Sequence, residues 1–239
     1  MKIIEKKDNK IIFTAEIEES LANALRRYVN QIPVLAIDEV EISKNDSALY
    51  DETIAHRIGL IPLEMQKVDE KKLPKLKLDI KKEGLVYSKD FMGDMKIVYG
   101  EIPITHLNKG QELQLTATGK LGLGKEHTKF SPGILFYREI VDVKTEKDCP
   151  KEVIETCPKK ILRIEGGKII VSDNLKCDMC EACVDFCKKQ GKGSIKLIPT
   201  GKLLIAVESF GQLGVEEIFK KSVDVLKKDL AEVSKKLGK

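Results

Sequence analysis

No apolar run in the sequence approaches the roughly 20 residues that a membrane-spanning helix needs. The opening Met1-Lys2-Ile3-Ile4-Glu5-Lys6-Lys7 lacks the apolar core of a signal peptide, so the chain reads as cytoplasmic. Tryptophan is absent and aromatics make up 5%, while the hydrophobic share of 42% is ordinary for a globular protein. An excess of one charge is missing too: 42 basic residues face 38 acidic ones, for a net charge of +4. That balance is unlike the clustered basic excess of a nucleic-acid-binding module. No glycine-rich nucleotide loop stands between a strand and a helix, and no aspartate cluster marks a two-metal polymerase site. The three histidines, His56, His106 and His127, are scattered and read as packing or interface residues rather than ligands.

What is present is organised in three textures, and the 239 residues suffice for one large domain or two to three small ones. Ile11, Phe13, Ala15 and Ile17 alternate as one face of a strand over 10–17, with Asp8-Asn9 as a turn from a hairpin partner at 1–6. Ser20 is the expected N-cap of a helix whose face is Leu21, Leu25, Tyr28, Val29 and Ile32, and Pro33 ends it before a strand over 34–43. From residue 44 to 145 one short helix, 52–58, precedes strand signals at Leu76, Leu78, Ile80 and 113–117. Glycines punctuate that stretch as turns would, 119–125 included. The lysine-rich run 67–82 reads as a solvated edge. A last strand over 203–208 leads to a helix over 215–237. There Phe219, Val223, Leu226, Leu230, Val233 and Leu237 form a heptad seam suited to a second helix, in this chain or a partner. The expected fold is α+β: a discontinuous dimerisation domain (1–43 and 199–239), a β-rich insertion (44–145) and a ferredoxin-like insertion (146–198).

All six cysteines fall in the last of these, and in a reducing compartment they argue for metal or redox chemistry. Cys177, Cys180, Cys183 and Cys187 follow the spacing C-x2-C-x2-C-x3-C, with Cys157-Pro158 upstream. Short gaps let one tight loop reach three corners of a cubane. In two-cluster ferredoxins the fourth cysteine of each run serves the other cluster. By that rule Cys157, Cys177, Cys180 and Cys183 hold one [4Fe–4S] cluster, or [3Fe–4S] if a corner is lost on isolation. The register of a second cluster falls on Lys147, Pro150 and Val153, and Lys188 stands where a proline usually follows Cys187. Cys149 and Cys187 are then remnants of a lost site, as free thiols or as a disulfide. Zinc on four cysteines and a metal-free segment are the competing readings.

Three stretches outside the cysteines carry a resemblance. Leu25-Arg26-Arg27 leads through Ile32-Pro33 to Ala36-Ile37-Asp38-Glu39-Val40; Asp51-Glu52 opens Ile54-Ala55-His56-Arg57-Ile58-Gly59-Leu60-Ile61-Pro62-Leu63; and Gly110-Gln111-Glu112-Leu113 precedes Gly124-Lys125-Glu126-His127-Thr128-Lys129-Phe130-Ser131-Pro132. In that order they resemble the D-subunit family of archaeal RNA polymerase, related to the third-largest subunit of eukaryotic RNA polymerase II and to the bacterial alpha subunit. Thr128 and Phe130 depart from the Ala and Trp common in the family. The resemblance implies a non-catalytic assembly scaffold of a DNA-directed RNA polymerase, with no catalytic residue on this chain. It implies pairing with subunit L through the C-terminal seam, then recruitment of the small subunits N and P and the large B subunit, with His56 and Arg57 on a partner-facing surface. DNA is met only through the assembled complex, and no membrane is involved. The rival reading of the cysteines alone is a ferredoxin-like electron-transfer or redox-sensing protein.

Overall fold

Alternating apolar residues build the first hairpin. In the computed structural model, which describes all residues except 70, 147, 148, 192 and 239, strands β1 (Lys2–Lys7) and β2 (Lys10–Ala15) are hydrogen-bonded neighbours, with Ile11, Phe13 and Ala15 buried. Helix α1 (Glu19–Tyr28) begins ahead of the expected cap. The N–H groups of Leu21 and Ala22 both donate to Glu18 O at 3.1 Å, which places Ser20 inside the first turn. Its buried face is Ala22 and Leu25, continued by Val29 and Ile32, while Leu21 stays 43% exposed. Positions 22, 25, 29 and 32 keep helical spacing as well as the predicted set does, and the small Ala22 permits the closer approach. A 3-10 turn, Val29–Gln31, follows, and Ile32 turns extended before Pro33.

The remaining elements are β3 (Pro33–Asn45), α2 (Asp51–Gly59), β4 (Lys75–Ile80), β5 (Gly84–Tyr87), β6 (Met92–Gly93), β7 (Pro103–Leu107), β8 (Leu113–Leu123), β9 (Gly133–Thr145), α3 (Val153–Thr156), β10 (Leu162–Glu165), β11 (Lys168–Val171), α4 (Ala182–Gln190), β12 (Ile195–Ser209) and α5 (Val215–Leu237). The fold is α+β with several antiparallel pairings. Strand β12 starts eight residues before the predicted 203, running through Pro199 and through Gly201, whose φ of +68 suits glycine.

The chain divides into two compact units. One comprises Met1–Glu5, Ile12–Ala22 and Phe136–Ala206. Its sheet has the order β1-β2-β12-β9, beside the β10–β11 hairpin, α3 and α4. The core of the cysteine-bearing part gathers Val141, Val153, Ile161, Leu162, Cys187 and Ile195.

The other unit comprises Lys6–Ile11, Asn23–Leu135 and Val207–Lys239. Strand β8 is its spine, pairing antiparallel with β3 on one side and β4 on the other in the order β3-β8-β4-β6. Two register shifts break the β3–β8 ladder, at Ile37/Glu39 and Ile42/Lys44. Ile54 and Ile58, one turn apart on α2, are fully buried in a core with Leu35, Ile37, Leu76 and Leu115. Lys75 and Lys77 of β4 face solvent, as alternation with Leu76 and Leu78 requires.

Gly119 and Gly122 lie within β8, not in the predicted turn. They are needed for space rather than for φ: a Cβ on Gly122 falls 2.6 Å from the Phe130 ring, and one on Gly119 strikes Met95 Sδ. Gly122→Ala is therefore expected to cost about 1–3 kcal/mol by overpacking, read as a drop of several degrees in Tm. Combined with Phe130→Leu, the loss should be less than additive, because the two positions share one space.

Candidate functional site

Tight local turns assemble the cysteine segment. The β10–β11 hairpin runs in register from Leu162↔Val171 to Glu165↔Lys168 and reverses at Gly166 and Gly167, φ +56 and +76. Its base is closed on Ile161 O, which accepts from Ser172 N at 2.8 Å and Ser172 Oγ at 3.0 Å. Asp173 Oδ1 then accepts from Leu175 N at 2.9 Å and caps a 3-10 turn, Asn174–Lys176, that delivers Cys177. The loop from Cys177 to Cys183 leads into α4, which carries Cys183 and Cys187 one turn apart and stops at left-handed Gly191. Cys157 stands just after α3, and its carbonyl accepts from Lys160 N at 3.0 Å.

Cys157, Cys177, Cys180 and Cys183 line one cavity of about 20 Å³, closed by Val143, Ile161, Leu162 and Leu197, with Lys159, Asp178 and Glu181 at its margin. Burial first, then the neighbouring Cys157 and Cys177, pushes the Cys183 thiol up to about 11, so it is protonated at neutral pH and a metal must displace that proton. Cys149 and Cys187 stand apart from this set. They are both buried, with their sulfurs 2.9 Å apart. Burial, reinforced by Cys187, pushes Cys149 up to about 12, which makes it a poor nucleophile. Among the described residues no three His, Cys, Asp or Glu side chains converge closely enough to hold a single metal ion.

The backbone here is unusual. Lys160, Met179 and Glu181 are the non-glycine residues with left-handed φ (51, 55 and 58) among the described residues, and all lie beside the four cysteines. Each such residue costs about 1–3 kcal/mol and persists where its surroundings over-determine it. Sequence inspection also misses Arg138 of β9, whose Nη1 and Nη2 donate to Cys177 O and Leu175 O. No spacing rule points to a residue so distant in the chain.

A second feature is α5. Val215, Ile218 and Ser222 are its buried residues, and the helix lies beside the 3-10 turn Val29–Gln31. At 100° per residue that face is rotated roughly 70° from the heptad seam. Phe219, Val223 and Leu226 remain half-buried, and Leu230, Val233 and Leu237 are 59, 52 and 83% exposed. Tyr28 Oη donates to Asp229 Oδ2 at 3.0 Å, which holds the helix alongside without covering the seam.

The motif stretches of the other unit also meet. Asn30 O accepts from Lys125 N at 3.2 Å, its Oδ1 accepts from Ser131 Oγ at 2.9 Å, and Ser131 O accepts from Gln212 Nε2 at 3.3 Å. His56 and His127 line a shared recess with Leu60, Asp38 and Lys129, so these two are not scattered in space. Lys129 Nζ lies 2.7 Å from Asp38 and 5.0 Å from the Phe130 ring centroid. Its hydrogen bond holds the Asp38 carboxyl below the usual carboxylate range, against the opposing effect of burial. Arg57 is exposed but commits Nη1 to Ile104 O at 2.6 Å. His106 is exposed on β7. No helix among the described residues is long and apolar enough to cross a membrane.

Residues 40–136, which run from β3 to β9, match the family described as RNA polymerase Rpb3/RpoA insert domain. DNA-directed RNA polymerase subunit Rpo3 of Thermococcus kodakarensis is 36% identical over 241 residues, covering 94% of this chain and 92% of its own. Rpo3 of Pyrococcus furiosus is 36% identical over 243 residues, covering 95% and 92%. DNA-directed RNA polymerase II subunit rpb3 of Dictyostelium discoideum is 30% identical over 281 residues, covering 98% and 93%. The chain belongs to the family of the archaeal RNA polymerase D subunit, or Rpo3, and eukaryotic Rpb3.

Proposed function

We propose that the chain is a non-catalytic assembly subunit of a DNA-directed RNA polymerase that pairs with subunit L through the α5 seam. The small subunits N and P and the large B subunit then join that platform. The observation that carries this reading is the seam itself: a 23-residue helix leaves the C-terminal half of its regular apolar stripe, Leu230, Val233 and Leu237, exposed, in a chain matched nearly end to end by polymerase subunits. A stripe sustained over that length belongs against another helix. Residues 146–198, with α3, α4 and the β10–β11 hairpin, serve as a ferredoxin-like insertion in a discontinuous dimerisation domain.

In this reading Cys157, Cys177, Cys180 and Cys183 hold one [4Fe–4S] cluster. The donor chemistry fits: the four cysteines line one largely apolar cavity, flanked by left-handed residues of the kind that build anion-binding backbone concavities. A cubane takes its thiolates at separate irons, whereas zinc asks four sulfurs to converge on one ion. When bound, the cluster supplies a cross-link between the turn at Cys157 and the loop at 177–183, which is folding energy for an element with a small core.

Iron and acid-labile sulfide on anaerobically isolated protein test the cofactor, with about four of each expected per chain. Stoichiometric zinc, or neither metal, overturns it. Co-expression with subunit L of the same organism should yield a one-to-one complex, and a chain that elutes alone overturns the pairing.

A further inference from the structure

We propose that Arg138 is the positioning residue of the cysteine loop: its guanidinium holds the backbone that carries Cys177 and supplies the positive charge that offsets the thiolates. The charge half of this rests on the cluster assignment above; the positioning half does not.

The geometry is a fork. Two nitrogens of one guanidinium reach two carbonyls, Leu175 O in the 3-10 turn and Cys177 O at the start of the loop. Arginine presents parallel donors in a rigid plane, so one side chain sets both the position and the orientation of that turn. Strand β9 braces the same turn twice more. Asn174 Nδ2 donates to Asp142 Oδ1 at 3.1 Å, and Val143 N donates to Asn174 Oδ1 at 3.4 Å. Arg138, Asp142 and Val143 thus make β9 the rail on which the loop is mounted, and these bonds need no metal.

Charge assigns Arg138 its second task. Three of the lysines near the cysteines face carboxylates: Lys159 lies 3.9 Å from Asp178, Lys176 4.0 Å from Asp173 and Lys188 3.7 Å from Asp185. Arg138 is half-buried, and among the described residues its partners are the neutral carbonyls of Leu175 and Cys177. A partly desolvated cation without a counter-ion is costly, and so is a set of thiolates in an apolar cavity. A cluster bound by four thiolates carries net negative charge, so its arrival relieves both costs together. The same cation favours the more negative, reduced state of the cluster.

The test uses the full chain with Arg138→Lys, which keeps the charge but loses the fork, and Arg138→Gln, which loses both. In the metal-free chain, amide hydrogen exchange over residues 174–178 should speed up about tenfold in both variants. Unchanged exchange overturns the positioning role. In the iron-loaded chain the midpoint potential should fall in Arg138→Gln and stay near wild type in Arg138→Lys. Equal potentials in all three proteins, or equal falls in both variants, overturn the charge role. A wild-type chain that takes up no iron, while both variants still loosen 174–178, sinks the cluster reading and leaves Arg138 as a positioning residue of the loop.

Discussion

Leu230→Glu combined with Val233→Glu on α5 is expected to abolish pairing with subunit L while leaving the chain itself folded. Both side chains are more than half exposed in the isolated chain, so the exchange removes almost no intramolecular packing. Surface substitutions of that kind usually move stability by no more than about 0.5 kcal/mol. In a helix-to-helix interface the same positions become core. Losing two buried aliphatic side chains costs about 3–6 kcal/mol, which is a factor of roughly 10²–10⁴ in affinity. Two carboxylates held in the seam add to that loss. Gel filtration of the co-expressed pair, with a thermal melt of the chain alone, separates the two effects. A variant that pairs normally places the interface elsewhere. One that unfolds alone shows that the seam serves intramolecular packing.

The second large effect is on the cysteines. Cys180→Ser with Cys183→Ser should take the iron content from about four per chain to near zero. Cys187→Ser should leave it unchanged, because Cys187 pairs with Cys149 and does not line the cavity. Without the cross-link, three left-handed residues at about 1–3 kcal/mol each lose their compensation, a sum comparable with the whole stability of a small domain. Limited proteolysis is therefore expected to cut the loop between Asp178 and Cys183, beyond the turn that Arg138 braces, in the double variant and to spare the wild type. Iron retained by Cys180→Ser/Cys183→Ser would falsify the ligand assignment, as would iron lost from Cys187→Ser.

Where local pattern decides structure, the sequence is readable. The bounds of α5 follow from its heptad spacing, the β10–β11 hairpin follows from two apolar runs around Gly166-Gly167, and Ile11, Phe13 and Ala15 bury as their alternation requires. Cysteine spacing singled out the four residues that share a cavity. What escapes is set by long-range packing. Gly119 and Gly122 read as turn residues because the reason for a missing Cβ, a sulfur or a ring pressed against the strand, is written at Met95 and Phe130. Leu21 and Ala22 satisfy helical spacing equally well, and only the burial pattern chooses between them. Arg138 carries no signature at all, since its role exists only once β9 lies beside the turn before Cys177. His56 and His127 likewise become neighbours only when the loop before β9 meets α2.

The sheet order β1-β2-β12-β9 has a consequence for how the chain is made. Strand β2 ends at Ala15, and its neighbour β12 begins at Ile195. At ribosomal speeds of about 5–20 residues per second, the first hairpin waits roughly 10–40 s for that neighbour to be synthesised. Throughout that interval the face of Ile11, Phe13 and Ala15 lies open to water and to other nascent chains. The ladder of β3, β8 and β4, drawn from residues 33–123, can close well before then. The hairpin that is translated first is thus among the last parts to be sealed, and its neighbour strand ends only shortly before the seam helix leaves the ribosome.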